Sequence, residues 1–233
     1  MVFMITIAGL ISIVLIFIQR TGAFEGRPSG EKYEVVLNDI NENQTLIIDI
    51  AQKYDLNPRV LGVSIFAERA INYVPIFEDV LSFIFGSSVG FAQVNVSSLV
   101  YYVRIINAPT HEDSVYYIIG NENKYNYLRK IFIDVGKMRY WELKYRLSTN
   151  KQFNVECAAF LLKLAITRYK NTKNGFDITN NPSISATLYH IKFPKRIAGK
   201  PDNFGLFAQR VYVDSQFIPI TNGLIGKCET QIN

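Results

Sequence analysis

Among the acidic residues of this chain, Glu68 has the surroundings that would matter most for chemistry. On a 3.6-residue period it shares a helix face with Leu61, Ser64, Ile65, Ile71 and Asn72, and that face is mostly apolar. Apolar surroundings solvate an anion poorly, so a carboxyl group placed there holds its proton more readily. A general acid needs that property. The same spacing also fits a helix glutamate that bends outward or pairs with Arg69. About twenty residues downstream, the stretch Ser87-Ser88-Val89-Gly90-Phe91-Ala92-Gln93 collects several candidate ligand contacts. Gly90 would let the backbone approach a ligand closely. Gln93 offers both a donor and an acceptor, or is an ordinary helix-surface residue. Ser87 and Ser88 either cap the helix that follows or contact a ligand. Further on, Tyr189 either hydrogen-bonds Glu68 and fixes its carboxylate or packs in the core, and His190 reads as a structural histidine. With His111 and His190 the only histidines and no Cys/His cluster of ligand spacing, neither a metal nor a cofactor is expected.

The elements that would position these residues read as helices. From Tyr33 to Tyr54 the apolar residues Val36, Leu37, Ile40, Ile47, Ile48, Ile50 and Ala51 recur at helical spacing. Asn57-Pro58 is a start signal, Asn as cap and Pro at the first helical position, for a helix that carries Glu68 and ends near Asn72. Ile76–Phe85 is apolar but interrupted by Glu78 and Asp79. Gly86–Gly90 reads as a turn with capping serines leading into a helix over Phe91–Val103. Val115–Ile119, Tyr125–Val135 and Trp141–Leu147 add helical pattern, and Asn154–Lys170 is the clearest amphipathic helix. Asn181-Pro182 opens a helix through His190, and Asn203 caps a last one over Phe204–Phe217. The fold class is therefore mainly α, in a single domain over 33–233 with no internal repeat.

The order of these features resembles the lysozyme-like lytic transglycosylases. In that family a catalytic Glu ends an early helix, and a G-L-M-Q-type turn follows. A later helix opening with an Asn-containing motif packs behind the site, and an A-Y-N-type motif brings a Tyr over the Glu. Glu68, Gly90-Phe91-Ala92-Gln93, Asn154–Leu162 and Leu188-Tyr189-His190 correspond in that order, over about Leu37–Pro194. The pattern departs at Arg69, where Ser is common, and at His190, where Asn is usual. The resemblance implies a lysozyme-like domain that cleaves the glycan strands of peptidoglycan, with Glu68 as acid and then base. It implies Ser87, Ser88, Gly90, Phe91, Gln93 and Tyr189 as substrate-binding. A muramidase would need a second carboxylate, at about 5–5.5 Å for retention or about 6.5–9.5 Å for inversion. Glu78 and Asp79 are the nearest in sequence. The departures also keep a non-catalytic glycan-binding protein in view.

Composition agrees with an envelope location. Met1–Ile18 is an unbroken apolar run ended by Gln19-Arg20, close to the roughly 20 residues of a spanning helix. Residues 1–20 are expected to form a transmembrane anchor or signal segment, and the anchor is favoured because no Lys or Arg precedes the run. Residues 21–32, with Gly22, Gly26, Pro28 and Gly30, read as a tether. Arg20 and Arg27 lie on the downstream side and do not fix the orientation, but the glycan cleavage that the resemblance implies puts the domain on the periplasmic or cell-wall side, with the membrane and peptidoglycan as expected partners. The net charge of +5 suits an anionic partner, but the cations are scattered and accompany no nucleic-acid-binding motif, so no nucleic-acid partner is expected. Cys157 and Cys228 are too few for a disulfide scaffold; they pair, or Cys157 is a buried thiol on a helix.

Overall fold

A computed structural model of the chain describes residues 31–72, 88–106, 133, 135–172, 176–191 and 200–214. The protein is mainly α, as the periodicity indicates. The leader Met1–Ile18, the segments Ile76–Phe85 and Val115–Ile119, and most of Tyr125–Val135 lie outside the described residues, as do Ser87, His111 and Cys228. Among the described residues no helix is long and apolar enough to cross a membrane.

Helix α1 (Glu31–Glu42) begins inside the stretch read as tether, and α2 (Gln44–Lys53) follows directly. The helical pattern up to Tyr54 is thus two helices. The break is at Asn43, whose backbone leaves helical geometry and whose side chain donates to the Asp39 carbonyl at 2.6 Å. Helix α3 (Pro58–Asn72) starts as expected, with Asn57 Oδ1 accepting from the Arg59 N–H at 2.9 Å.

The largest difference from the sequence pattern follows. Phe91 does not open a helix. Strands β1 (Ser88–Val89) and β2 (Val94–Asn95) pair antiparallel, Ser88 opposite Asn95 and Val89 opposite Val94, with Gly90–Gln93 as the connecting turn. Helix α4 (Val96–Ile106) starts only afterwards, capped by Asn95 Oδ1 on the Ser98 N–H at 2.8 Å. Periodicity could not separate these cases, because Phe91, Ala92, Val94 and Val96 are apolar in either arrangement. What decides is the backbone: Gly90 and Gln93 both take positive φ, 76° and 50°, which ends any helix there.

Helix α5 (Tyr140–Thr149) is succeeded by α6 (Lys151–Thr172). Helix α6 buries most of its circumference, from Phe153, Asn154 and Val155 to Leu164 and Ile166, and leaves a narrow polar stripe of Gln152, Glu156, Lys163 and Lys170, so the amphipathic pattern is present with a wider apolar face than the sequence suggests. It is the central helix, with α2, α3, α5, β2 and α7 (Pro182–Ile191) packed on it. Asn181 Oδ1 caps α7 by accepting from the Ile184 N–H at 3.0 Å. The last helix, α8 (Asn203–Val213), is capped by Asp202 and not by Asn203: Asp202 Oδ1 accepts from the Gly205 N–H at 2.8 Å.

Helix α3 lies among α1, α2, α7 and α8. Its residues Leu61, Ile65 and Phe66 have no exposed surface, and Phe66 meets the rings of Tyr33 and Phe207. A helix enclosed on several sides must bury some of its polar positions too. Ser64 meets that demand by bonding the Val60 carbonyl at 2.8 Å, and Glu68 and Arg69 meet it through partners described next.

Candidate functional site

Glu68 points inward. Its relative exposure is 0%, and its Oε1 lies 3.1 Å from His190 Nδ1, contributed by α7. The imidazole is 37% exposed and lies flat on the Phe204 ring of α8, with centroids 4.3 Å apart and planes 10° apart. Three helices therefore meet in one contact: α3 brings the carboxylate, α7 the imidazole, and α8 the aromatic plate beneath it. His190 is the residue whose role the sequence reading missed. Its only available signal was a histidine one position beyond Tyr189 in the motif that carries the resemblance.

Tyr189 occupies the neighbourhood of Glu68 but bonds elsewhere. Its hydroxyl donates to the Ala92 carbonyl at 2.7 Å, so α7 grips the β1–β2 turn and not the carboxylate. Burial, and next the negative charge of Glu68, push the Tyr189 hydroxyl well above its ordinary ionisation range. The direct Tyr189–Glu68 hydrogen bond expected from the sequence is replaced by the His190 contact, because successive residues on a helix are about 100° apart and the two side chains diverge.

The turn itself is held from behind by Asn154 of α6. Asn154 Oδ1 accepts from the Ala92 N–H at 2.6 Å, and Nδ2 donates to the carbonyls of Val89 and Leu147 at 2.9 and 3.0 Å. With no exposed surface, this carboxamide saturates three backbone groups that water cannot reach. It also gives Gly90 a different role from the one expected. A Cβ at Gly90 would collide with the Leu147 carbonyl oxygen and the Asn154 carboxamide, so the missing side chain makes room for Asn154. Gln93 is 3% exposed and turns its Nε2 onto the Gly90 carbonyl at 3.1 Å. Phe91 is 7% exposed, with Arg69 and Lys151 over its ring at 5.1 and 5.0 Å. Ser88 is buried in β1. The turn residues expected to touch substrate thus shape the wall beside Glu68 through contacts within the protein.

Arg69, one of the departures from the resembling pattern, has a structural purpose. Its guanidinium pairs with Asp39 of α1 and donates to the Phe91 carbonyl at 3.3 Å, linking α1, α3 and the turn. A serine could not reach both.

Cys157 is buried in α6 with a free thiol, and burial holds that thiol far above its ordinary range. No group of three or more His, Cys, Asp or Glu side chains among the described residues could hold a metal ion. No family model matches the chain, and neither a curated protein nor a solved structure compared with it gives a match.

Proposed function

We propose that the chain is a peptidoglycan lytic transglycosylase with a lysozyme-like helical domain, held at the outer face of a membrane by Met1–Ile18 or exported. The observation that carries this reading is the placing of Glu68: a carboxyl group with no exposed surface, in contact with a partly exposed imidazole. The flanking turn is fixed by Asn154, the residue that the resemblance puts behind the site.

The chemistry needs one acid–base centre. A proton passes from the Glu68 site to the glycosidic oxygen between N-acetylmuramic acid and N-acetylglucosamine, and the bond from that oxygen to C1 breaks. The acetamido group of the muramyl sugar steadies the oxocarbenium-like carbon. The same centre then removes the proton from the muramyl hydroxyl that attacks C1, closing an anhydro ring without water. A muramidase would require a second carboxylate, and its candidates Glu78 and Asp79 lie outside the described residues.

One observation favours a second reading, a non-catalytic glycan-binding protein: His190 stands over Glu68 where the resembling enzymes carry Asn. Both readings meet the same experiment. The full-length chain, purified in detergent, is incubated with peptidoglycan and the products are weighed by mass spectrometry. Anhydro-muramyl ends are expected, with Glu68→Gln slower by roughly 10²–10⁴-fold, the usual contribution of a general acid. Reducing ends would indicate a muramidase. Sedimentation with peptidoglycan without any released fragment would leave the binding protein.

A further inference from the structure

Glu68 and His190 differ in a way that decides how a proton can reach a substrate. The Glu68 side chain is 1% exposed and that of His190 is 37% exposed, although the two touch. The position of the ring is fixed twice, by the 3.1 Å contact of Nδ1 with Oε1 and by its parallel seat on Phe204. Nδ1 is thereby committed to the interior, one ring face is committed to α8, and the other nitrogen, Nε2, is the part of the imidazole free to meet a ligand. A glycan strand approaching from solvent meets the imidazole before it meets the carboxylate.

We propose that His190 Nε2 is the atom that gives a proton to the substrate and takes one back, with the Glu68 carboxylate as its buried partner. This rests on the transglycosylase reading and changes which side chain touches the glycan. At the start the pair holds one proton between Oε1 and Nδ1 and another on Nε2, and is neutral as a unit. Nε2 donates its proton to the glycosidic oxygen as the bond from that oxygen to C1 breaks. The shared proton stays at Nδ1, leaving a carboxylate and a neutral imidazole. That net negative charge faces the oxocarbenium-like carbon. When the muramyl hydroxyl attacks C1, its proton goes to the Nε2 lone pair and the starting state returns. One proton leaves, one comes back, and no water or further reactant is consumed. The carboxylate fixes the tautomer in between: by accepting from Nδ1–H it keeps the lone pair on Nε2, the service a buried carboxylate performs for histidine in acyl-transfer triads.

The test uses the full-length chain in detergent and the rate of anhydro-end formation from peptidoglycan. His190→Asn keeps a polar side chain at the position and restores the residue usual in the resembling family, but cannot pass a proton. We expect its kcat to fall by at least ~100-fold, near that of Glu68→Gln, with KM changed by less than about threefold. His190→Ala should regain at least ~10-fold of its lost rate when imidazole is added, in proportion to its concentration, a response that a purely structural histidine would not give. Circular dichroism establishes that each variant is folded, and His190→Gln replaces His190→Asn if the latter is not. If His190→Asn keeps activity within threefold of the parent while Glu68→Gln is inactive, the carboxylate acts directly and the relay is overturned. Folded His190→Ala that ignores imidazole overturns it as well. A parent chain that makes no anhydro ends defeats the transglycosylase reading and the relay with it, whereas an active parent with an active His190→Asn defeats the relay alone.

Discussion

Glu68 and His190 are 122 positions apart in the chain and 3.1 Å apart in the fold. Adjacent to that contact, Tyr189 and Cys157 are two acids kept in their neutral form by burial. Each has a folded-state pKa above its ordinary value, 10.0 for the tyrosine and 9.0 for the cysteine. The unfolded chain releases these protons as the pH passes those values and the folded chain does not. Unfolding is therefore favoured by rising pH: the contribution of the two groups is complete below pH 9 and declines above it. Urea midpoints at pH 7, 9, 10 and 11 should fall along the series. Tyr189→Phe should lower the midpoint at pH 7, by about 1–2 kcal/mol for the buried Ala92 carbonyl left without its donor. It should also flatten the decline above pH 10. An unchanged alkaline slope in that variant would remove Tyr189 from the account.

At the scale of elements, the β1–β2 turn depends on the match between one carboxamide and one glycine. Asn154→Asp keeps the acceptor for the Ala92 N–H but turns a lone pair toward the carbonyls of Val89 and Leu147, where the native side chain donates. It should cost about 3–5 kcal/mol, since two buried acceptors lose their donor and a charge is added without a partner. Gly90→Ala combines positive φ with a collision, and should cost about 2–4 kcal/mol. Denaturant titration of both variants checks the magnitudes. A loss below about 1 kcal/mol in either would mean that the turn has another support. Because the turn lies beside Glu68 and receives Tyr189, both substitutions should, on the proposed function, depress glycan cleavage more than stability alone explains.

Across the whole molecule, the contact between α7 and α8 sets the distance from His190 to its Phe204 seat. Gly205 makes that contact close: a Cβ there would overlap the Ser183 carbonyl and the Thr187 hydroxyl. The Thr187 hydroxyl also bonds Asp202 at 2.9 Å, tying the start of α8 to the middle of α7. Gly205→Ala should force the two helices apart, lower the thermal midpoint by several degrees and, on the proposed function, slow glycan cleavage, with His190 carried off its stack. A Gly205→Ala protein with native melting and full activity would show that the helices tolerate separation. Helix α3 is enclosed by the same arrangement, and Glu68 has no exposed surface within it.

Much of this architecture was readable from local chemistry. The Asn57 and Asn181 caps, each followed by proline, placed two helix starts, because capping involves residues within a few positions of one another, whereas apolar spacing left Glu68 open between an inward and an outward direction. The sequence could not distinguish a helix from a hairpin at Phe91–Gln93, because the apolar Phe91 and Ala92 and the polar Gln93 suit either arrangement. The width of the apolar face of α6 was hidden for a related reason, since the number of neighbours packed on a helix shows only once they are in place. Of the candidate residues, the sequence by itself placed Glu68 on a helix with a largely apolar face and Gly90 in a turn. Tertiary structure alone decided the partners: Asn154 fills the space beside Gly90, Tyr189 reaches the turn, and His190 reaches Glu68. A hydrogen bond is specific over about 3 Å, and which donor arrives within that range depends on how whole helices pack, which no short stretch of sequence encodes.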